Sequence, residues 1–399
     1  MINFCFDKTT NHEYVNFVPN LITNVYINQC AVTYPYVDYP RLLEYLDQEH
    51  IKYNIHPVDN CPTGSFYFIN INYFDHSVDW FQLMPLTTLK AVKDKKIKVL
   101  FFYCEGDAPH IIRETLHRLA NKHNVDPMQI HFICHTTVAE TLKNFYYFND
   151  DEILFKNAQN YSKSQALWHD KLRSKKFTCL IRSHKSWRLV AAADFYANGL
   201  HKDSYTSYNK ISYSDGFDHT DNFTDPPQNP LWNGSYARIN SFKKIIPFSA
   251  DVLTDDEHNN YETFVEHFYT DAYWNIVVET HINLSGTTGT FITEKTWKPI
   301  RHNQPFIILG TVGSIKHLQE LGYHTFDGII DESYDYIKND SLRYEKVQDV
   351  ILNLNSKSYE ELHEINHQIK PIVEHNSKLF NSSKKHRLEE IINKLLTSN

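Results

Sequence analysis

The sequence predicts an α/β protein made of two Rossmann-like domains in tandem, facing one another across a cleft, with helices at the C-terminus. Three observations carry this. Short apolar runs without alternation read as strands buried on both faces. Helix-period segments of ten or more residues lie between them. The alternation ends at about 172 and starts afresh near Phe177. At 399 residues the chain is long enough for two or three domains and a sizeable core.

The elements follow in order. Residues 99–104 (VLFFYC) form a strand, and 111–121 a helix with Ile112, Leu116 and Leu119 facing inward. Residues 130–134 (IHFIC) complete a βαβ unit, so a parallel sheet is expected. The second alternation runs through a strand at 177–181 (FTCLI) and a helix at 187–197. Residues 215–240, rich in Asp, Pro, Asn and Gly, read as a loop. Residues 274–279 (WNIVVE) are a buried strand. In 291–310 (FITEKTWKPIRHNQPFIILG), Thr293 is an N-cap, and Glu294 occupies a first turn where a carboxylate suits the helix dipole. Lys295, Lys298 and Arg301, spaced by three, are expected on one face. Pro305 ends the turn, and 306–309 is a strand closed by Gly310. A helix at 313–321 and an almost wholly helical stretch at 341–399 complete the chain. The expected domains are 1–172 and 173–375, with a last helix at 376–399 as a candidate to cross back to the first domain. The ligand crevice is expected outside the carboxyl ends of the strands, between the domains.

Composition narrows the function. The formal charge of −8 argues against a general nucleic-acid binder. With 11 glycines there is no GxGxxG and no GxxxxGK[ST]. Six scattered cysteines form no CxxC pair and fit a reducing, cytoplasmic compartment. Asp7, Lys8 and Asn11 interrupt any early apolar run, so neither a signal peptide nor a membrane span is expected.

Several constellations can carry chemistry. Glu105 follows the 99–104 strand at its carboxyl end, where a general base on an acceptor hydroxyl would sit; the plainer reading is a helix-capping loop carboxylate, for which Asp107 is better placed. His110 lies close by. Arg182, His184, Lys185 and Arg188 cluster after the 177–181 strand, where a guanidinium can clamp a diphosphate or simply form a surface ion pair. Lys295 and Lys298 at the start of their helix offer a phosphate site, or an ordinary solvated face. Tyr205, Tyr208 and Tyr213 are candidates to stack on a nucleobase, with packing the plainer role. His363-Glu364-Ile365-Asn366-His367 matches HExxH, the pattern of a zinc metallopeptidase, within 359–370, which reads as a helix ending before Pro371; no third ligand stands at the usual spacing. D-x-D is absent; Asp150-Asp151 and Asp255-Asp256 are the nearest approaches, so a metal-bridged diphosphate is not supported and no obligatory metal is expected.

Residues 291–295 (FITEK) followed by 305–310 (PFIILG) resemble the donor-binding core of the alpha-fucosyltransferase family, which shows [YF]-[VI]-T-E-K, a helix, and a strand ending in P-hydrophobic-LG. The resemblance covers about 35 residues well. It implies the glycosyltransferase-B fold and inverting, metal-independent transfer from a nucleoside-diphosphate sugar, here a UDP- or GDP-sugar. Glu294 and Lys295 would contact the donor, and Arg188 would clamp it with Arg182 as competitor. Glu279, Thr280 and Phe291 would be donor-contacting positions; Thr280 stands where the family has Asn, and Phe291 where it usually has Tyr. Glu105 with Pro109 resembles the family's acceptor-side E-S-P motif with two extra residues. The 332–335 stretch (ESYD) is similar to virus- or phage-borne members, which implies the host cytoplasm as compartment; the acceptor stays open between a surface glycan, a protein and a hydroxymethylated base of phage DNA. A non-catalytic carbohydrate-binding protein is the remaining alternative.

Overall fold

The computed structural model describes residues 1–8, 14–15, 41–71, 74, 76–103, 106, 108–157, 165–181, 186–208, 236–246, 265–282 and 289–398. It is a mixed α/β protein with two sheets of largely parallel strands. The first compact unit comprises Met1–Ile153, Ser285–Gly289 and Ser383–Asn399; the second comprises Leu154–Leu284 and Thr290–Ser382.

In the first unit the described elements are β1 (Ile2–Lys8), β2 (Tyr14–Val15), α1 (Arg41–Gln48), β3 (Tyr53–Pro57), β4 (Ser65–Ile71), α2 (Leu86–Lys93), β5 (Ile97–Tyr103), α3 (Pro109–Lys122), β6 (Ile130–Cys134), β7 (Phe145–Tyr147) and α4 (Asp150–Asn157, whose last residues belong to the second unit). The sheet runs β1-β4-β5-β6-β7, with β3 parallel to β1 on its other side and β2 antiparallel to the end of β1. β4, β5 and β6 are buried on both faces, which is why they read as near-continuous apolar runs. Along β4, Phe66 and Phe68 join one core, while Tyr67, Ile69 and Ile71 join the other. The expected cap Asp107 lies outside the described residues; the N-cap position of α3 is Ala108, which makes no side-chain cap bond, with Pro109 just inside the helix.

The second unit holds β8 (Lys175–Ile181), α5 (Ser186–Ala197), β9 (Ser204–Tyr208), α6 (Tyr236–Lys243), α7 (His267–Thr270), β10 (Ala272–Val278), α8 (Glu294–Arg301), β11 (Phe306–Leu309), α9 (Ser314–Glu320), α10 (Asp340–Asn355) and α11 (Tyr359–Asn381). Its strands are all parallel in the order β11-β10-β8-β9. The chain moves one way from β8 to β9 and the other way from β10 to β11, so the order reverses between β8 and β10. Crevices at such reversals, outside the carboxyl ends, are where open α/β sheets bind ligands. The last helix, α12 (Lys385–Thr397), belongs to the first unit, where Leu388, Ile391, Ile392 and Leu395 are buried among Phe4, Phe66 and Phe102.

Three local expectations are corrected. The 215–240 loop ends earlier: α6 begins at Tyr236, because burying Ile239 and Phe242 in the second unit's core outweighs weak local propensity. Pro371 does not stop α11, which runs through it for 23 residues with Ile369 and Val373 buried on either side. Arg301 does not share an exposed face with Lys295. Six residues turn a helix through about 600°, leaving Arg301 roughly 120° from Lys295, and it is 4% exposed.

The 332–335 stretch serves the fold. The Asp335 carboxylate accepts from the Ile315 and Lys316 N–H groups at 2.9 and 3.0 Å, satisfying the first turn of α9. Glu332 is buried, and burial pushes its carboxyl up to about 7 despite a hydrogen bond from Phe326 N–H. Between the ordinary value of 4.5 and about 7, the folded protein keeps a proton that the unfolded chain has released, so stability falls as pH rises through that window. Glu332→Gln is expected to flatten a decline on the order of 3 kcal/mol. Urea unfolding of both proteins at about pH 5 and 7 reads this directly, and parallel declines would refute it.

Candidate active site

The site is assembled at the carboxyl edge of the second sheet, where β8 and β10 diverge. β10 delivers Glu279 and Thr280 directly after Val278. The N-terminus of α5, following β8, delivers Trp187 and Arg188. The N-terminus of α8 delivers Thr293, Glu294 and Lys295. Local chemistry places the last three: Thr293 is in extended conformation, and its hydroxyl accepts from Lys295 N–H, the N-cap expected from the sequence.

Two cations meet at one hydroxyl. Arg188 Nη2 and Lys295 Nζ each donate to Thr280 Oγ1 at 3.3 Å. Arg188 is 1% exposed, and its Nε donates to the Glu279 carbonyl at 3.3 Å, as does Trp187 Nε1. Lys295 also donates to Thr293 Oγ1 at 3.3 Å and pairs with Glu294. Burial pulls the Arg188 guanidinium below its usual value, while Glu294 and Glu279 act to restore it. Burial raises the Glu294 carboxyl, but Lys295 and then Lys298 more than offset this and hold it at about 2. Glu294 is therefore ionised throughout the physiological range.

Glu279 is the brace beneath this arrangement. It is 0% exposed, and its carboxylate accepts from Thr293 N–H at 3.0 Å, Thr293 Oγ1 at 2.6 Å, Thr296 Oγ1 at 2.7 Å and Thr280 N–H at 3.1 Å. Its oxygens are occupied by the chain's own donors, so Glu279 positions the site rather than reaching a ligand. Gly310 lies beside it: a Cβ there would make an ordinary 3.4 Å contact with Glu279 Cβ and a tight one, 3.0 Å, with Ile308 Cγ2. Neither Thr296 nor Trp187 carries a sequence signal of membership in this network. Hydroxyls one turn apart at a helix start are a weak signal.

The other expected residues fall elsewhere. Phe291 is buried with its ring edge-on to His281 at 5.1 Å. Lys298 is half-buried one turn into α8. Tyr208 is buried against Phe242 at 5.5 Å and cannot present a face to a base, so its role is packing. Tyr205 packs on Phe268 and His267 of α7, beside the amino end of β10 and away from the cation pair. Asp150, of the Asp150-Asp151 pair, is 1% exposed and accepts from Tyr45 and Arg41 while pairing with His135 at 3.2 Å. His110 is the second residue of α3 and is half-buried. Glu105, Asp107, Arg182, His184, Lys185, Tyr213 and Asp255-Asp256 lie outside the described residues. Among the described residues no helix is long and apolar enough to cross a membrane.

No protein-family model matches the chain, and no curated protein matches it.

Proposed function

We propose that this protein is a glycosyltransferase that moves a sugar from a nucleoside-diphosphate sugar to an acceptor hydroxyl, inverting the anomeric centre without an obligatory metal. The observation that carries the reading is the convergence of Arg188 and Lys295 on Thr280 Oγ1 at the reversal point of a parallel sheet. A diphosphate oxygen in that position would accept from a guanidinium and an ammonium at once, with the α8 N-terminus adding its dipole. Charge grows on the diphosphate as the glycosidic bond breaks, and preset cations stabilise that charge without reorganising. Glu294, ionised and fixed beside Lys295, can accept hydroxyls of the ribose or sugar. In this reading the second unit takes the donor and the first the acceptor, as in the glycosyltransferase-B fold.

Glu105 is the proposed base that takes the acceptor's proton as its oxygen attacks the anomeric carbon. Glu105→Gln is expected to abolish transfer while leaving the donor dissociation constant unchanged. Product analysis beside calorimetry separates the two effects, and full turnover in this variant would remove Glu105 from the mechanism. The acceptor is a glycan or a hydroxymethylated DNA base. DNA would declare itself by binding that weakens steeply with added salt. The first experiment is a thermal-shift screen of UDP-, GDP- and CMP-sugars on the purified protein. Stabilisation by one nucleotide class supports the reading, and a flat response to all three counts against it.

A further inference from the structure

We infer that the second unit carries a surface site for one divalent transition-metal ion, formed by His363, His367 and Asp170 and separate from the donor site. The two histidines lie four residues apart on α11, so their rings share one face of the helix. Asp170 comes from the segment leading into β8 and lies opposite that face. Its Oδ1 lies 3.2 Å from His363 Nε2 and 2.9 Å from His367 Nε2. One ligand atom from each residue falls within 4.8 Å of the other two. A tetrahedral ion with bonds of about 2.0–2.1 Å sets its ligand atoms roughly 3.3 Å apart. Both Asp–His separations are already close to that figure.

The surroundings fix the ligand atoms. His363 Nδ1 is buried without a hydrogen-bond partner, so Nε2 is the nitrogen that faces outward. The His363 ring packs edge-on to Tyr273 at 6.4 Å and the His367 ring edge-on to Trp168 at 5.4 Å. The Asp170 segment is tied down on both sides. Ala166 N–H donates to His302 and Arg173 N–H to the Tyr273 hydroxyl, each at 3.1 Å. The Arg173 guanidinium also donates to the Ala272 carbonyl at 2.6 Å.

Two imidazoles and one carboxylate select zinc, nickel, copper or cobalt over magnesium or calcium, which favour all-oxygen sites. The side chains of His367 and Asp170 are 45% and 63% exposed, which leaves a coordination position open to water. The unpartnered Nδ1 of His363 lacks the outer hydrogen bond that commonly adds ten- to hundredfold in affinity, so binding is expected in the micromolar range. When bound, the ion pins α11 to the segment ahead of β8. The third ligand is about 190 residues upstream of the HExxH match, which is why no spacing rule finds it.

The test uses untagged full-length protein, stripped with EDTA and dialysed. Calorimetric titration with zinc chloride is expected to show about one equivalent bound, accompanied by a rise in melting temperature. His363→Gln, His367→Gln and Asp170→Asn should each weaken uptake at least tenfold and remove the thermal shift. Cobalt loading of the wild type should give tetrahedral ligand-field bands that the His363→Gln/His367→Gln variant lacks. Equal zinc uptake by the wild type and that double variant, both folded by circular dichroism, would overturn the site, as would no uptake by the wild type. Sugar transfer is not the readout. Lys295→Ala should still bind zinc, so failure of the donor reading and failure of this one are told apart.

Discussion

Lys295→Ala is expected to raise the dissociation constant of the donor nucleotide tenfold or more, a loss of at least ~1.4 kcal/mol. The Lys295 side chain is 25% exposed, which reduces screening by water relative to a surface lysine. Among the described residues its removal leaves Arg188 donating to Thr280, and it takes from Glu294 the ammonium that pairs with it most closely. The carboxylate would then repel the diphosphate, so two effects act in the same direction. Isothermal titration with the nucleotide identified by the thermal-shift screen checks this, with a melting curve to confirm folding. Unchanged affinity for every nucleotide sugar would remove the cation pair from the function.

Glu279→Ala is expected to damage both stability and binding. The substitution takes the carboxylate away from two backbone N–H groups, of half-buried Thr280 and buried Thr293, and from two buried hydroxyls, of Thr293 and Thr296. An unsatisfied buried donor costs about 1–3 kcal/mol, and the hydroxyls can relax by rotation, so a total on the order of 4 kcal/mol is expected. For a unit of this size that corresponds to a fall in melting temperature of about 10 °C. Glu279→Gln retains the volume and one acceptor oxygen and should lose less. Donor affinity should fall in both variants, because the N-terminus of α8 and the loop after β10 lose the group that joins them. Melting within a degree of wild type for Glu279→Ala would show that the network is not the brace described above.

Elements of this chain are legible in its sequence where their cause is local. Near-continuous apolar runs marked β5, β6, β8, β10 and β11, because a strand covered on both faces favours apolar side chains at most positions, with His131, Thr178 and Asn275 as buried exceptions. Thr293 announced the start of α8, because an N-cap needs only a hydroxyl and the next turn. Propensity misled where distant packing dominated, as at Tyr236, Pro371 and Arg301.

The sequence by itself determined the α/β class, the parallel βαβ units, the absence of a glycine-rich phosphate loop and the candidates Arg188, Glu294 and Lys295. Only the tertiary structure decided that Arg188 and Thr280, 92 residues apart, share a hydrogen bond. It also decided that Glu279 is a buried brace, that Tyr208 is spent on packing, and that Asp170 completes a triad with His363 and His367. Hydropathy and capping act over one or two turns of chain and leave a mark in neighbouring letters. Convergence of side chains depends on strand order and helix docking, which bring together residues whose separation along the chain carries no pattern.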